Sequence, residues 1–419
     1  MKKRKHTADE EILVSDKHLG LRIAAFALAF VAAVSAFGIG IYQAAKKEPG
    51  YYVITPAVDK DAMRYANGIT LEYYFSGSSS EIKDALREVT DRYSAVLQRA
   101  YKLLDPVNEY PGYVNLATIN HNPGKELEVS EELFSVLTDA LDKTAEERGF
   151  NLFAGALNAE WNSILTAEHA AEFDPLQNPD EAARLAVIAE RTTDRADAVL
   201  TVTDAGRRAV RLDLSDRYRA FAAEYELPET VLDLGLLKEA WMLDLAAAGL
   251  EQGFFRCGYL YTVSGLTRAL SEPGGGDNVL YAFPQGEPEM AGLVPVRGSL
   301  ACSRFKSFPL GEELGYYILE TGGATHYRNP YLAVTPDFET PLAASYAITD
   351  GSIVAACYHN ICLWHLNETE QILSAVAGEQ EVLLAAVMPG ERVIYGNGPA
   401  LEQIEPYADQ GFSVRLAEE

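Results

Sequence analysis

The chain has 419 residues, of which 48% are hydrophobic and 23% are charged. It is therefore long enough for a large core and too apolar for wholesale disorder. Its formal net charge of −26 repels polyanions, which argues against a nucleic-acid-binding function and favours a plain solubilising surface.

An uncharged apolar run, Ile23 to Tyr42, follows a basic tail of residues 1–22. Its twenty residues, at about 1.5 Å each, cover a hydrocarbon layer of about 30 Å. Six basic residues precede the run, whereas Lys46 and Lys47 follow it closely. The positive-inside rule then predicts a single-pass membrane anchor with a cytoplasmic N-terminus and an extracytoplasmic remainder.

A cleaved signal peptide is the alternative, since "VSA" before Phe37 resembles a cleavage site. We favour the uncleaved anchor because the basic region is long and the apolar run is full length. Residues 43–65 then form a tether, and residues 66–419 form the extracytoplasmic domain.

The first half of that domain carries one clear strand pattern and three helix patterns. "ITLEYYF", from Ile69, alternates as a strand does. The stretch from Ser79 to Leu104 is amphipathic and begins at serines. A second helix is capped by Ser130 and ended by Gly149, and a third begins at Asn178-Pro179.

The second half is richer in strands. The predicted strands are "ADAVLTVT", "RAVRLDL", "GFFRCGYLYTV", "LGYYILE", "AASYAIT", "EVLLAAV" and "FSVRL", and "SEPGGGDN" is expected to be a loop. Helices and strands do not alternate strictly, so we predict an α+β fold with a mixed sheet.

The common catalytic motifs are absent from the sequence, including the P-loop, GxSxG, HExxH and CxxC. The four cysteines lie in apolar runs, which favours buried free thiols over disulfides. "CYHNICLWH", from Cys357 to His365, is the one metal-like cluster. It has no second pair of ligands, so packing is the favoured interpretation.

The order of several short motifs resembles the FAD:protein FMN transferases of the ApbE type. "ANGITLEYYF" is similar to the family's opening strand and keeps Gly68 and Thr70. "NLATINHNPGKELEVS" matches at Asn120 and Ser130. "GFNLFAGALNAEW" keeps four positions of another motif in register, namely Phe150, Gly155, Leu157 and Trp161.

Two later stretches extend the resemblance. "LETGG" and "THYRNP" are similar to a Thr-Ser-Gly and a His-x-x-Asp-Pro segment, and they carry Thr321, Gly322 and His326. "DLGLLKEAWMLD" aligns without a gap on Asp-Leu-Gly-Gly-Ile-Ala-Lys-Gly-Tyr-Ala-Val-Asp and keeps Asp233, Gly235 and Asp244. The resemblance implies an ApbE-like fold and a membrane-tethered transferase that cleaves FAD with Mg²⁺ and places FMN on a partner's threonine.

Nine of the positions kept from these motifs are the candidate cofactor-binding residues: Gly68, Thr70, Asn120, Asp233, Gly235, Asp244, Thr321, Gly322 and His326.

The departures from the family pattern concentrate on charge and metal chemistry. Glu239 stands where the family has lysine, and Lys238 lies one position early, about 100° around a helix, so it is expected to point elsewhere. The metal-ligand aspartate falls on Asn360 and a threonine falls on Trp364. An amide lacks the charge that a hard dication prefers, and an indole has no oxygen.

Other substitutions follow the same trend. The family's Gly-Gly-Asp turn falls on Thr262-Val263-Ser264, where a Cβ hinders close backbone approach. Two aspartates are replaced by Asn151 and Asn329. No catalytic or metal residue is therefore assigned.

We expect a pseudoenzyme that binds a flavin nucleotide, with FAD as the candidate ligand, or a flavinylated or redox partner protein. An active Mg²⁺-dependent transferase and an unrelated extracytoplasmic binding protein are the alternatives.

Overall fold

A computed structural model describes residues 46–57, 68–270, 276–296, 300–310, 315–331 and 340–417. The chain divides into a small unit, Met1–Pro49 with Ser76–Asp84, and a large unit, Gly50–Phe75 with Ala85–Glu419. The predicted anchor at 23–42 lies outside the described residues. Within those residues, no helix has the length and apolar character needed to cross a membrane.

The helices, in chain order, are α1 (Ser79–Leu104), α2 (Leu116–Asn120), α3 (Glu131–Ala145), α4 (Gly155–Leu165), α5 (Ala170–Phe173), α6 (Pro179–Thr193), α7 (Asp216–Glu224), α8 (Leu237–Gln252), α9 (Ile353–Trp364), α10 (Thr369–Gly378) and α11 (Gly398–Gln403).

The strands are β1 (Gly50–Ile54), β2 (Ile69–Phe75), β3 (Leu127–Glu128), β4 (Ala198–Asp204), β5 (Ala209–Leu214), β6 (Gly258–Thr262), β7 (Leu266–Ala269), β8 (Gly276–Ala282), β9 (Glu289–Val296), β10 (Leu300–Lys306), β11 (Tyr317–Thr321), β12 (Ala324–Arg328), β13 (Ala344–Asp350), β14 (Leu383–Val387), β15 (Val393–Gly396), β16 (Glu405–Pro406) and β17 (Ser413–Leu416).

The large unit is built on a nine-stranded sheet in the order β1-β2-β6-β7-β10-β13-β14-β15-β17. Its neighbours are antiparallel except for β15 and β17, which are parallel. Helix α9 packs on β10 and β13, and α8 packs on α9 and β6. This mixed arrangement agrees with the predicted α+β class.

Smaller sheets surround this platform: β3-β5-β4, β16-β9-β8 and the hairpin β11-β12. Strand β14, "LLAAV", is buried at all five positions, as expected for a strand covered on both faces. Its side chains join a core with strands β8, β9, β10 and β13. Strand β1 lies inside the stretch 43–65 expected to be a tether, and its five residues pair with β2.

Local capping explains where several helices begin. Ser130 Oγ accepts a hydrogen bond from the Leu133 amide at the start of α3, and Asn178 Oδ1 accepts from Asp180 and Glu181 at the start of α6. Helix α3 ends at Ala145, four residues before Gly149, the end that the sequence predicts.

One loop prediction is wrong in part. "SEPGGGDN" was expected to be a loop, but its last three residues, Gly276, Asp277 and Asn278, begin β8 and pair with β9. Cross-strand pairing overrides the weak strand propensity of Gly, Asp and Asn here. Thr267 on β7 also donates a hydrogen bond to Asn278 Oδ1 at 3.3 Å.

Candidate functional site

The large unit contains a cavity of about 840 Å³ between the beginnings of α4 and α8 and the turn between β6 and β7. Its aromatic lining residues are Trp161, Phe305, Tyr316 and Tyr331, and its polar ones include Asn158, Asn162, Thr230, Asp233, Lys238, Glu239 and Ser264. A mostly apolar cavity of this size with a few polar groups is typical of a small-molecule site.

Two glycines allow the backbone to close around this cavity. Gly155 begins α4, and a Cβ there would lie 2.5 Å from the Thr230 carbonyl oxygen. Gly235 has a φ of +51°, in the left-handed region that favours glycine. Its amide donates to Asp233 Oδ1 at 3.0 Å, which fixes that carboxylate at the cavity wall.

Lys238 and Glu239, in the first turn of α8, both line the cavity. Lys238 was expected to point in a different direction from Glu239. The two side chains diverge as the 100° step requires, but the cavity is wide enough to meet both. Lys238 Nζ lies 5.9 Å from the centre of the Tyr101 ring, whereas Glu239 Oε2 accepts a hydrogen bond from Ser264 Oγ at 2.5 Å.

Burial dominates the electrostatics of this pair. It lowers the pKa of Lys238, while the charges of Asp233, Asp105 and Glu239 act to raise it. Burial also raises the pKa of Glu239, against the lowering by the Ser264 hydrogen bond and the Lys238 charge. One ammonium therefore faces three carboxylates.

Asp105 follows the end of α1 and is buried. It accepts hydrogen bonds from Tyr101 Oη at 3.0 Å and Tyr110 Oη at 2.7 Å. Burial raises its pKa, but these bonds and the amides of Val107 and Asn108 more than offset that, so the net shift is downward. Sequence reasoning missed this group, although an Asp-Pro pair directly after a predicted helix end was a readable signal.

Only Asp233 and Gly235 of the nine candidate binding residues line the cavity. Asn120 is buried and connects two loops. Its Nδ2 donates to the carbonyls of Pro106 and Leu232, and its Oδ1 accepts from the Leu232 amide. It therefore positions the two segments that flank the cavity rather than facing a ligand.

Asp244 lies further along α8 and caps α9 instead. Its carboxylate accepts hydrogen bonds from Ser352 Oγ at 2.8 Å and from the Ile353 and Val354 amides, where it also complements the helix dipole. Arg268 Nε lies 3.3 Å from Oδ1.

Gly68 and Thr70 flank Ile69, which does line the cavity. The Gly68 carbonyl accepts from the Val263 amide at 3.2 Å, and Thr70 pairs with Tyr261 in the sheet. Val263 stands at the cavity mouth with 75% of its surface exposed, so its side chain narrows the entrance.

Thr321, Gly322 and His326 belong to the β11-β12 hairpin and are not lining residues. The two replaced aspartates also have local roles: Asn151 Oδ1 accepts from the Phe153 amide, and Asn329 Oδ1 accepts from the Tyr331 amide, both at 3.0 Å.

Asn360 and Trp364 are buried in α9 and are fully engaged in hydrogen bonds. Asn360 Nδ2 donates to Ser303 O and Oγ at 2.8 and 2.9 Å, and Ser345 Oγ donates to Asn360 Oδ1 at 2.8 Å. Trp364 Nε1 donates to Ser345 Oγ at 2.7 Å. These residues do not fit a magnesium ion, because the one amide oxygen is already used and the indole fills the neighbouring space.

An aromatic wall separates this network from the cavity. Phe305 and Tyr331 stack with ring centres 4.0 Å apart and planes 10° apart, and Trp364 packs edge-on against both. Sequence reasoning did not predict this wall, because Phe305 lies on a strand and Tyr331 in a loop, and Trp364 behind them lies on a helix further along the chain.

The cysteine and histidine cluster of α9 does not form a metal site. All four cysteines are free thiols; Cys302, Cys357 and Cys362 are buried, as predicted, whereas Cys257 is half-buried. Within the described part of the chain, no group of three or more His, Cys, Asp or Glu side chains is placed to hold a metal ion.

No protein family model and no curated protein matches this sequence. Solved structures do match. The ApbE protein of Thermotoga maritima has a TM-score of 0.55 at 13% identity, over 84% of this chain and 98% of that one. The flavinyl transferase ApbE of Pseudomonas stutzeri, in its apo form, has a TM-score of 0.54 at 14% identity, over 85% and 97%. The protein therefore has the fold of the ApbE-type flavin transferases, as the sequence motifs predict.

Proposed function

We propose that the protein is a pseudoenzyme of ApbE fold, which binds a flavin-class ligand in the cavity and does not transfer FMN to protein. The observation that carries this proposal is the Asn360 network: its oxygen and its amide group are satisfied by Ser303 and Ser345 inside the core. A metal ion at this position would have to break those bonds and displace Trp364.

Transfer of a nucleotide group relies on a dication and fixed positive charge to neutralise the phosphates. Here the aligned metal position is an amide, and the aligned lysine is Glu239. Each lost electrostatic contact of this kind costs about 10² to 10³ in rate. Two such losses support the absence of useful transfer activity.

Ligand binding is supported independently by the cavity itself. Its volume of about 840 Å³ lies within the usual range for small-molecule sites. The stacked Phe305 and Tyr331 rings offer an aromatic face, and Asp233, Asn158 and Ser264 offer polar groups beside it. This combination suits a planar ligand with an apolar body and a polar edge.

The test is covalent flavinylation of a co-expressed acceptor that carries the family's target threonine. We expect no fluorescent acceptor band after denaturing electrophoresis with the natural sequence. The flavinyl transferase of Pseudomonas stutzeri serves as the positive control. A fluorescent band above the control without enzyme would contradict the proposal and support the active-transferase alternative.

We further propose that the domain is membrane-anchored and extracytoplasmic, with a partner protein at the same membrane face. The order of charges around Ile23–Tyr42 supports this placement.

A further inference from the structure

We propose that the cavity selects a planar heteroaromatic ligand that carries no phosphate group, so that riboflavin is favoured over FMN and FAD. This inference rests on the proposed flavin-class function and narrows its ligand. Two features of the cavity carry it: a rigid aromatic wall and a net negative cluster of charges.

The aromatic wall, formed by Phe305 and Tyr331, is held in place by Trp364 and by a hydrogen bond of Tyr331. Trp364 is fully buried and lies 5.4 Å from the Tyr331 ring and 6.1 Å from the Phe305 ring. Tyr331 Oη donates to the Ser264 carbonyl at 2.9 Å, which fixes the ring next to Glu239's own hydrogen-bond partner. The wall is thus preformed, and a flat ligand can dock on it without ordering new side chains.

The charge cluster opposes a phosphate. Lys238 is the one Lys or Arg among the described residues that line the cavity, and its ammonium faces the carboxylates of Asp233, Asp105 and Glu239. A phosphate brought beside Lys238 would compete with these carboxylates and meet their repulsion in a partly desolvated space, where charges interact strongly.

The same carboxylates favour a ligand with N–H or O–H donors. Asp233 is held by the Gly235 amide at 3.0 Å and Asn158 Nδ2 at 3.4 Å, and Glu239 by Ser264 at 2.5 Å. A carboxylate has about four lone-pair positions, so each retains acceptor capacity after these bonds. Ring N–H and ribityl hydroxyl groups match this chemistry.

Helix N-termini usually attract anions, and two helices begin at this cavity. In α8 the acidic residue of the first turn is Glu239 itself, which already supplies the negative charge. In α4 the Gly155 amide donates to the Val231 carbonyl at 3.0 Å. At α8 this charge opposes a further anion, and at α4 one first-turn amide is already used by a protein carbonyl.

Riboflavin and FMN differ by a single phosphate, so they isolate its effect. We expect the full-length protein, purified in detergent at about 0.15 M salt and pH 8, to bind riboflavin at least about tenfold more tightly than FMN, with FAD no tighter than FMN. At this pH the phosphate of FMN, with a second pKa of about 6, is doubly ionised. Titration calorimetry or quenching of flavin fluorescence measures the affinities.

Two variants test whether Glu239 causes the preference for riboflavin over FMN. Glu239→Gln keeps an acceptor for Ser264 and is expected to narrow the riboflavin-to-FMN ratio about threefold or more, and Glu239→Lys further. Glu131→Gln, on the exposed face of α3, removes the same charge far from the polar lining and should leave the ratio unchanged. Thermal melts identify a variant that fails to fold. If Glu239→Lys does not fold, Glu239→Gln alone tests the inference.

FMN or FAD binding as tightly as riboflavin would overturn this inference and leave the proposed function standing. Failure of all three flavins to bind would overturn the proposed function together with it. An unchanged ratio of riboflavin to FMN affinity in Glu239→Gln would overturn the inference that the charge cluster causes the preference for riboflavin.

Discussion

Glu239 is the residue whose protonation state matters most to the cavity. Burial raises its pKa, whereas Ser264 and Lys238 act in the opposite direction. Because the folded-state pKa lies above the unfolded value of about 4.3, the ionised carboxylate costs stability at high pH. That cost declines as the pH falls from the folded-state pKa towards the unfolded value and is absent below the unfolded value.

Glu239→Gln is therefore expected to raise the thermal midpoint by about 2 °C or more at pH 8 and to change it little at pH 5. Differential scanning fluorimetry at the two pH values measures this. Glu131→Gln, which removes a surface-exposed carboxylate, is the control variant. An equal shift of Glu239→Gln at both pH values would show that folding does not raise the pKa of Glu239.

Magnesium gives the second test at the residue scale. We expect titration with MgCl₂ to produce no saturable rise in the thermal midpoint, since Asn360 and Trp364 are committed to Ser303 and Ser345. A specific site would stabilise the fold by about 2.7 kcal/mol at a hundredfold excess over Kd. NaCl at matched ionic strength controls for screening, and a saturable rise with Mg²⁺ alone would contradict the expectation.

Sequence reasoning worked unevenly at this scale. The substitution pattern singled out Asn360, Trp364 and Glu239, because a changed residue type can be read directly from the sequence. It did not predict that Lys238 lines the cavity or that Asp244 contacts the start of α9, because these contacts depend on how α8 is packed between the cavity and α9.

At the scale of elements, a buried ion pair tethers the β11-β12 hairpin. Arg328 Nε and Nη2 donate to Asp174 at 2.7 and 3.1 Å, and Tyr317 Oη donates to the same carboxylate at 2.7 Å. Both charged side chains are at least 97% buried. The hairpin lies between the cavity residues Tyr316 and Pro330, so this tether sets the position of that rim.

Asp174→Ala leaves the Arg328 charge buried and unpaired, and is expected to destabilise the fold by about 3–5 kcal/mol in urea unfolding. Arg207→Ala is the matched control: it removes exposed, solvent-screened ion pairs to Glu126, Glu128 and Asp204 and should cost far less. Similar losses of unfolding free energy in the two variants would mean that the Asp174–Arg328 ion pair stabilises the fold no more than exposed ion pairs do.

Element prediction succeeded where a local signal was strong. The sequence predicted α1 and β2 with the bounds that the structure has, and it predicted the start of α6, because amphipathic period, alternation and the Asn-Pro cap are local. It missed several elements, among them α4, β9, β10 and β12; β10, for example, pairs with β7 and β13, which are distant from it in the chain.

At the scale of the whole molecule, motif order predicted the fold better than any single motif. Gly155, Trp161, Asp233 and Gly235 meet at one cavity although about 80 residues separate the first from the last. A shared order of weak motifs reflects this long-range assembly. The sequence could not predict the closed space around Asn360, since closure depends on the packing of α9 against β10 and β13.

Topology remains a prediction of the sequence. We expect protease added to intact cells to digest the domain that begins at residue 66, because the basic flank of Ile23–Tyr42 is N-terminal. A cytosolic protein should stay intact in the same cells and be digested after permeabilisation. Full protection of the domain before permeabilisation would contradict the predicted orientation.

The tryptophans give the molecule a built-in optical probe. The sequence has three: Trp161 lines the cavity, Trp364 packs behind its aromatic wall, and Trp241 packs on Phe150 in the helix that carries Glu239. Flavins absorb light at the wavelengths where indoles emit, so a flavin bound in the cavity should quench the intrinsic tryptophan fluorescence. Occupancy can thus be followed in unlabelled protein, even in crude membranes enriched in it.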